Sequence, residues 1–138
     1  MIHNLTLDYA EARRATDAIV AEVQRRGKAA VIAVADSHGE LIALSRMDGA
    51  PLSSIAIASN KAWTAVRAGK PSGDVGKGVR DAATGFDIGY YGDARFCGWG
   101  GGIPVRHEGK IVGAVAVSGL PEQEDIEVVA FGLAAIAG

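Results

Sequence analysis

Cysteine is almost absent from this chain. Cys97 stands alone among 138 residues. That excludes an intrachain disulfide, and a lone thiol fits a reducing compartment. Long apolar runs are missing as well. No stretch reaches the ~18 residues that a membrane-spanning helix needs. The opening residues, MIHNLTLDYAEARRATD, carry no basic leader followed by an apolar core, so no secretory signal is read there. The Asn4-Leu5-Thr6 glycosylation pattern is therefore taken as chance. Strong charge is lacking too. Fourteen basic residues against sixteen acidic ones give a formal net charge of -2. There is no basic run and no interleaving of basic and aromatic residues, so neither nucleic acid nor an anionic membrane is expected as a partner. These absences together predict a cytoplasmic protein.

Familiar phosphate motifs fail on inspection. In GDVGKG (residues 73–78) the leading glycine of a Walker loop is replaced by Pro71, and Gly78 stands where a hydroxyl should hold magnesium. Gly98-Trp99-Gly100 lacks the dinucleotide spacing, and a strand rather than a helix follows it. No HExxH or similar metal pair links the three histidines, His3, His38 and His107.

Apolar residues, by contrast, make up 49% of the chain, enough for the core of one domain spanning residues 1–138. Their spacing orders the elements. Thr6 is expected to cap a first helix with Asp8 and Glu11 in its first turn. Ala12, Ala15, Ile19 and Val23 form its stripe. AAVIAVA (residues 29–35) reads as a strand buried on both faces, paired through the Asp36-Ser37-His38-Gly39 turn with ELIALSR. A helix follows over residues 52–68, with small residues on several faces, so that both a sheet and a further helix or subunit can approach it. A short helix over residues 74–83 and an irregular, then extended, stretch come next. IPVRH and KIVGAVAVS form a hairpin across Glu108-Gly109, and Pro121 opens a last helix with Ile126, Val129, Ala130, Leu133 and Ile136 as its buried stripe. Hairpins dominate, so the fold class is α+β: an antiparallel sheet of about five strands with helices packed on it.

Several residues are candidates for chemistry. Lys61 lies mid-helix among alanines and serines, which suggests a carboxylate, a ligand acid group or another subunit as its partner. Its stem could equally lie over the alanines with the ammonium in water. Arg46 and Asp48 close a strand nearby in sequence. Gly100, Gly101 and Gly102 precede a strand, where they serve a tight turn, a ligand-facing backbone wall, or both. Asp48, Tyr90 and His107 are candidate proton carriers. Any of His3, His38 and His107 could ligate haem iron, since one proximal histidine suffices. Cys97 reads as a small buried residue, with His107 a distant partner for a thiolate.

MDGAPLSSIAIASNKAWTA, GGIPVRHEGKIVGAVAVSG and EQEDIEVVAFGLAAI together resemble the GlcG/HbpS family of small haem-binding or haem-degrading proteins, whose domain also ends PduO-type proteins. The matching positions are Asp48, Gly49, Lys61, Thr64, Gly101, Gly102, Pro104, Gly113, Ser118 and Gly119. The resemblance implies a profilin-like fold, homo-oligomers (dimers, tetramers or octamers), and haem or another tetrapyrrole as ligand. It carries over no axial ligand. Slow haem degradation is an extension of this reading. Two other readings stand beside it. One is a cofactor-free enzyme of small-molecule catabolism, in which Arg46 or Lys61 binds an organic acid. The other is an accessory or chaperone-like subunit without chemistry.

Overall fold

The computed structural model describes residues 1–137. Helix α1 (Tyr9–Arg25) starts at Asp8 rather than Thr6. The Asp8 side chain accepts from the Glu11 amide at 2.8 Å, and the Glu11 side chain accepts from the Asp8 amide at 3.0 Å. This reciprocal capping box satisfies two donors, more than a lone Thr6 hydroxyl could. Thr6 instead accepts from the Ser37 amide at 3.0 Å, holding the segment before α1 to a distant turn.

Four strands follow in the sheet order β2-β1-β4-β3, every neighbouring pair antiparallel. They are β1 (Val31–Ala35), β2 (Leu41–Arg46), β3 (Gly102–His107) and β4 (Lys110–Ser118). As its continuous apolar run predicts, β1 is buried along its whole length. Alternation splits its side chains between two cores. Ile32 and Val34, with Val115 and Val117 of β4, meet α1 and α4 (Glu122–Ala137). Ala33 and Ala35, with Ala114 and Ala116, meet Ala58, Ala62 and Ala65 of α2 (Ser54–Ala68). Alanine facing alanine lets α2 lie close against the sheet. This accounts for the small-sided helix seen in the sequence.

Among the described residues the expected fifth strand is absent. Residues 86–96 contain a short 3₁₀ turn, Ile88–Tyr91. Asp81 accepts from the amides of Ala83 and Thr84, Asp87 from that of Gly89, and Asp93 from that of Arg95, all at 2.8–2.9 Å. Each aspartate turns its own backbone, which competes with extension. Phe96 then packs edge-on against Trp63 at 4.7 Å and stacks with Tyr91 at 4.0 Å. Helix α3 (Ser72–Val79) begins and ends earlier than its apolar pattern suggests.

Helix α4 is rotated from the expected stripe. Asp125, Val128, Val129 and Gly132 are buried, whereas Ile126 and Ala130 face solvent. Gly132 permits the crossing with α1, because a Cβ there would stand 2.6 Å from the Ile19 side chain. An ion network closes the same interface. Buried Glu22 accepts from Arg25 and Arg26 at 2.7 Å, and Arg26 reaches Glu124 and Glu127 on α4.

The hydrogen bonds from Arg25 and Arg26 hold the Glu22 carboxyl at about 2, against an ordinary 4.5. A depressed acid stabilises the fold above its unfolded value and loses that contribution as pH falls through its folded value. Thermal melts should therefore show Glu22→Gln less stable than wild type at pH 7, with the gap narrowing as pH drops from about 4.5 to about 2. A constant gap across that window would contradict the assignment.

Candidate functional site

The two ends of the sheet differ in chemistry. At the end where β4 stops, the glycine run meets Lys61. The Lys61 ammonium donates to the Val117 carbonyl at 2.9 Å and to Asp125 Oδ2 at 3.0 Å. Its side chain is 2% exposed, and that of Asp125 4%. Asp125 Oδ1 accepts from the Leu120 amide at 3.1 Å. Lys61 leaves α2 on one face of the sheet, and Asp125 leaves α4 on the other. The three glycines clear the passage between them. A Cβ on Gly101, whose φ is +121°, would lie 2.7 Å from the Val117 oxygen and 3.0 Å from Lys61 Nζ. One on Gly102 would lie 2.4 Å from the Lys61 carbonyl oxygen, and one on Gly100 2.7 Å from Ile126. The run is thus demanded by close approach of α2, β4 and α4.

Hydrogen bonds hold the run in place. The Gly100 amide donates to Glu122 at 2.7 Å, and the Gly102 amide to Ser72 at 3.0 Å. Ser72 in turn donates to the Trp99 carbonyl at 2.7 Å. A cleft of about 260 Å³ opens over Lys61 and Asp125, with Ser53, Trp99 and Glu122 on its walls. Burial pushes the Asp125 carboxyl up to about 6, with the Lys61 charge opposing that rise. An organic acid entering here would meet Asp125 and Glu122 beside the single ammonium.

Other candidates fall elsewhere. Arg46 and Asp48 line a separate cleft of about 500 Å³ with Gln24 and Lys28, so they do not join Lys61. Tyr90 is exposed on the 3₁₀ turn. The Cys97 amide donates to Thr64 at 2.9 Å. Burial pushes the Cys97 thiol up, the opposite of what a thiolate nucleophile needs.

The three histidines meet at the opposite end. Because Ala35 pairs with Ala114, the turn after β1 and the turn before β4 lie side by side. The first carries His38 and the second follows His107. The segment before α1 runs past both and brings His3. All three line one cleft of about 420 Å³, together with Leu5, Lys110 and Val112. Leu5, His107 and Val112 also line an adjoining groove of about 720 Å³, walled by Pro104, Arg106, Leu133 and Ile136. Among the described residues no group of three or more His, Cys, Asp or Glu side chains is placed to hold a metal ion.

Lys61, Gly101 and Gly102 stood out in the sequence; Asp125, an acid in the first turn of α4, did not. The missed signal was spacing: Asp125 sits three, four and seven residues before Val128, Val129 and Gly132, within the buried stripe.

Two outcomes test this end of the sheet. Lys61→Met strands the Asp125 carboxylate in the interior and should cost ~3 kcal/mol at pH 7. The loss should shrink at pH 5, where Asp125 takes up a proton. In wild type, an acid raised in the folded state destabilises progressively as pH rises from its ordinary 3.8 through about 6. Lys61→Met/Asp125→Asn should lose less than the two single changes combined, read from urea midpoints. Separately, Gly102→Ala should cost ~3 kcal/mol through its clash with α2. Gly109→Ala, at φ +78° with open space around it, should cost only ~1 kcal/mol. Equal losses at both glycines would remove the close-packing argument.

Known proteins share this architecture. A 15.0 kDa protein from the dhaT-dhaS intergenic region of Citrobacter freundii is 31% identical over 120 residues, covering 87% of this chain and 84% of that protein. The crystal structure of Klebsiella pneumoniae ORFY superposes with a TM-score of 0.92 at 26% identity, over 100% of this chain and 95% of that one. PduOC, crystallised in complex with haem, superposes with a TM-score of 0.88 at 25% identity, over 95% of each chain. The sequence profile described as "haem degrading protein HbpS-like" matches residues 7–134. Nearly the whole described fold lies within that match, and the chain belongs to the HbpS-like family.

Proposed function

We propose that this protein binds haem or a related tetrapyrrole at the histidine end of its sheet. The observation that carries the reading is the convergence of His3, His38 and His107 on one cleft that continues into a larger, partly apolar groove. The donor set fits the ligand. Imidazole is a haem-iron ligand, and one is sufficient. His107 borders both spaces, which makes it the central candidate. Leu5, Val112, Leu133 and Ile136 offer apolar contact for a macrocycle. Arg106 and Lys110, one bordering each space, suit the carboxylates of a propionate-bearing ring. Bound haem would supply a redox-active iron. Slow degradation of the ring would further require dioxygen and a reductant.

Family membership supports the reading, as does the haem complex of PduOC. The Arg46, Asp48 and Lys61 candidates contribute nothing to this site. An organic-acid enzyme built on Lys61 is disfavoured by Glu122 and Asp125 in the same cleft. Helices on both faces of a four-stranded antiparallel sheet support the profilin-like description, in one domain. A homo-oligomer fits the exposed Leu52, Trp99, Ile126 and Phe131, which a second copy would cover. Among the described residues no helix is long and apolar enough to cross a membrane.

Titration with hemin tests the proposal. Wild type should give a saturable Soret shift at one hemin per chain. His107→Ala should weaken binding at least tenfold, while Lys61→Met leaves it unchanged in folded protein. A featureless, non-saturating titration of wild type would overturn the assignment.

A further inference from the structure

We propose that residues 1–5 are a strap that closes over the tetrapyrrole, and that His3 ligates the iron on the face opposite His107. This rests on the histidine-end reading above. The strap is unlike the rest of the molecule. None of the hydrogen bonds among the described residues involves residues 1–5. Met1, Ile2 and Leu5 are 119%, 86% and 65% exposed. Apolar side chains left in water, on backbone with no internal partners, gain from any apolar surface brought within reach.

The attachment is firm and well placed. The Leu7 amide donates to the Val112 carbonyl at 2.9 Å, and the Leu7 side chain is buried in the core. Thr6 accepts from the Ser37 amide at 3.0 Å, on the turn that carries His38. The strap is therefore hinged between the two turns that wall the cleft. His3 lies three residues from Thr6, which gives it a sweep of ~10 Å in extended chain. In such a chain His3 and Leu5 share one face. The motion that lays Leu5 on a macrocycle then delivers His3 to its centre.

His38 is less suited to be the second ligand, because its backbone is held from both sides. Its amide donates to Asp36 at 2.8 Å, and its carbonyl accepts from Arg67 at 2.6 Å. An imidazole on that turn cannot follow a ligand into the groove without breaking one of these bonds. His107 sits on β3, where register with Lys110 fixes its position. One fixed and one mobile histidine would grip the iron from two sides.

The spin state of the bound iron reads this directly, on the full chain loaded with hemin. Wild type should show the optical and electron paramagnetic resonance signature of six-coordinate, low-spin ferric iron. His3→Ala should shift it to high spin and speed haem loss to an apomyoglobin trap at least tenfold. His38→Ala should remain low spin. His3 is exposed, so the variant should melt as wild type does, and a matched melt confirms the comparison. A His3→Ala complex that stays low spin and loses haem at the wild-type rate overturns the strap while leaving the binding site intact. Failure of wild type to bind hemin overturns both, since the strap then has nothing to close over.

Discussion

The buried pair of Lys61 and Asp125 is the constraint around which one half of the molecule is arranged. It joins helices on opposite faces of the sheet, so its atoms must pass the end of β4 rather than the middle of the sheet. That passage exists only because β3 is entered through residues without side chains. Gly101 passes its carbonyl to the Val117 amide at 3.1 Å, while the Val117 carbonyl takes the Lys61 ammonium. The same two residues thus serve strand pairing and charge burial. The rotation of α4 follows from this arrangement. To turn Asp125 inward, the helix must expose Ile126 and Ala130.

Such a pair is costly to bury, and well-packed apolar residues often stabilise a fold as much or more. Its effect here is better described as selection of one arrangement. A leucine at either position could slide against several neighbours. An ammonium with a carbonyl and a carboxylate to satisfy has one solution, which fixes α2 and α4 at a single mutual height. The raised Asp125 carboxyl is the sign that burial outweighs the attraction of Lys61.

The helices, both hairpins and the doubly buried β1 were legible because they rest on local periodicity and turn chemistry. The fifth strand was misread because Phe86, Tyr90, Tyr91 and Phe96 resemble strand residues, whereas three aspartates and the intervening glycines control the backbone. Lys61 stood out because a lysine among alanines is anomalous in any helix. Asp125 did not, because an acid in a first helical turn already has an adequate explanation. The register of β1 against β4, which gathers the histidines, depends on contacts some eighty residues apart. Nothing in the spacing of residues 3, 38 and 107 encodes it.

The two ends of the sheet therefore divide the work by rigidity. At the lysine end, backbone, glycine and ion pair are interlocked, and the cleft above them is small. At the histidine end, two hairpin turns and an unbonded segment border larger spaces, and side chains there remain exposed. A flat, rigid macrocycle needs a site that opens to admit it and then makes contact on both faces. Among the described residues, the unbonded segment that borders a cleft lies at the histidine end. Leu133 and Ile136, one wall of the groove, lie on a helix packed against both α1 and β4. The closing motion can then be confined to the strap, while the surface it closes against stays still.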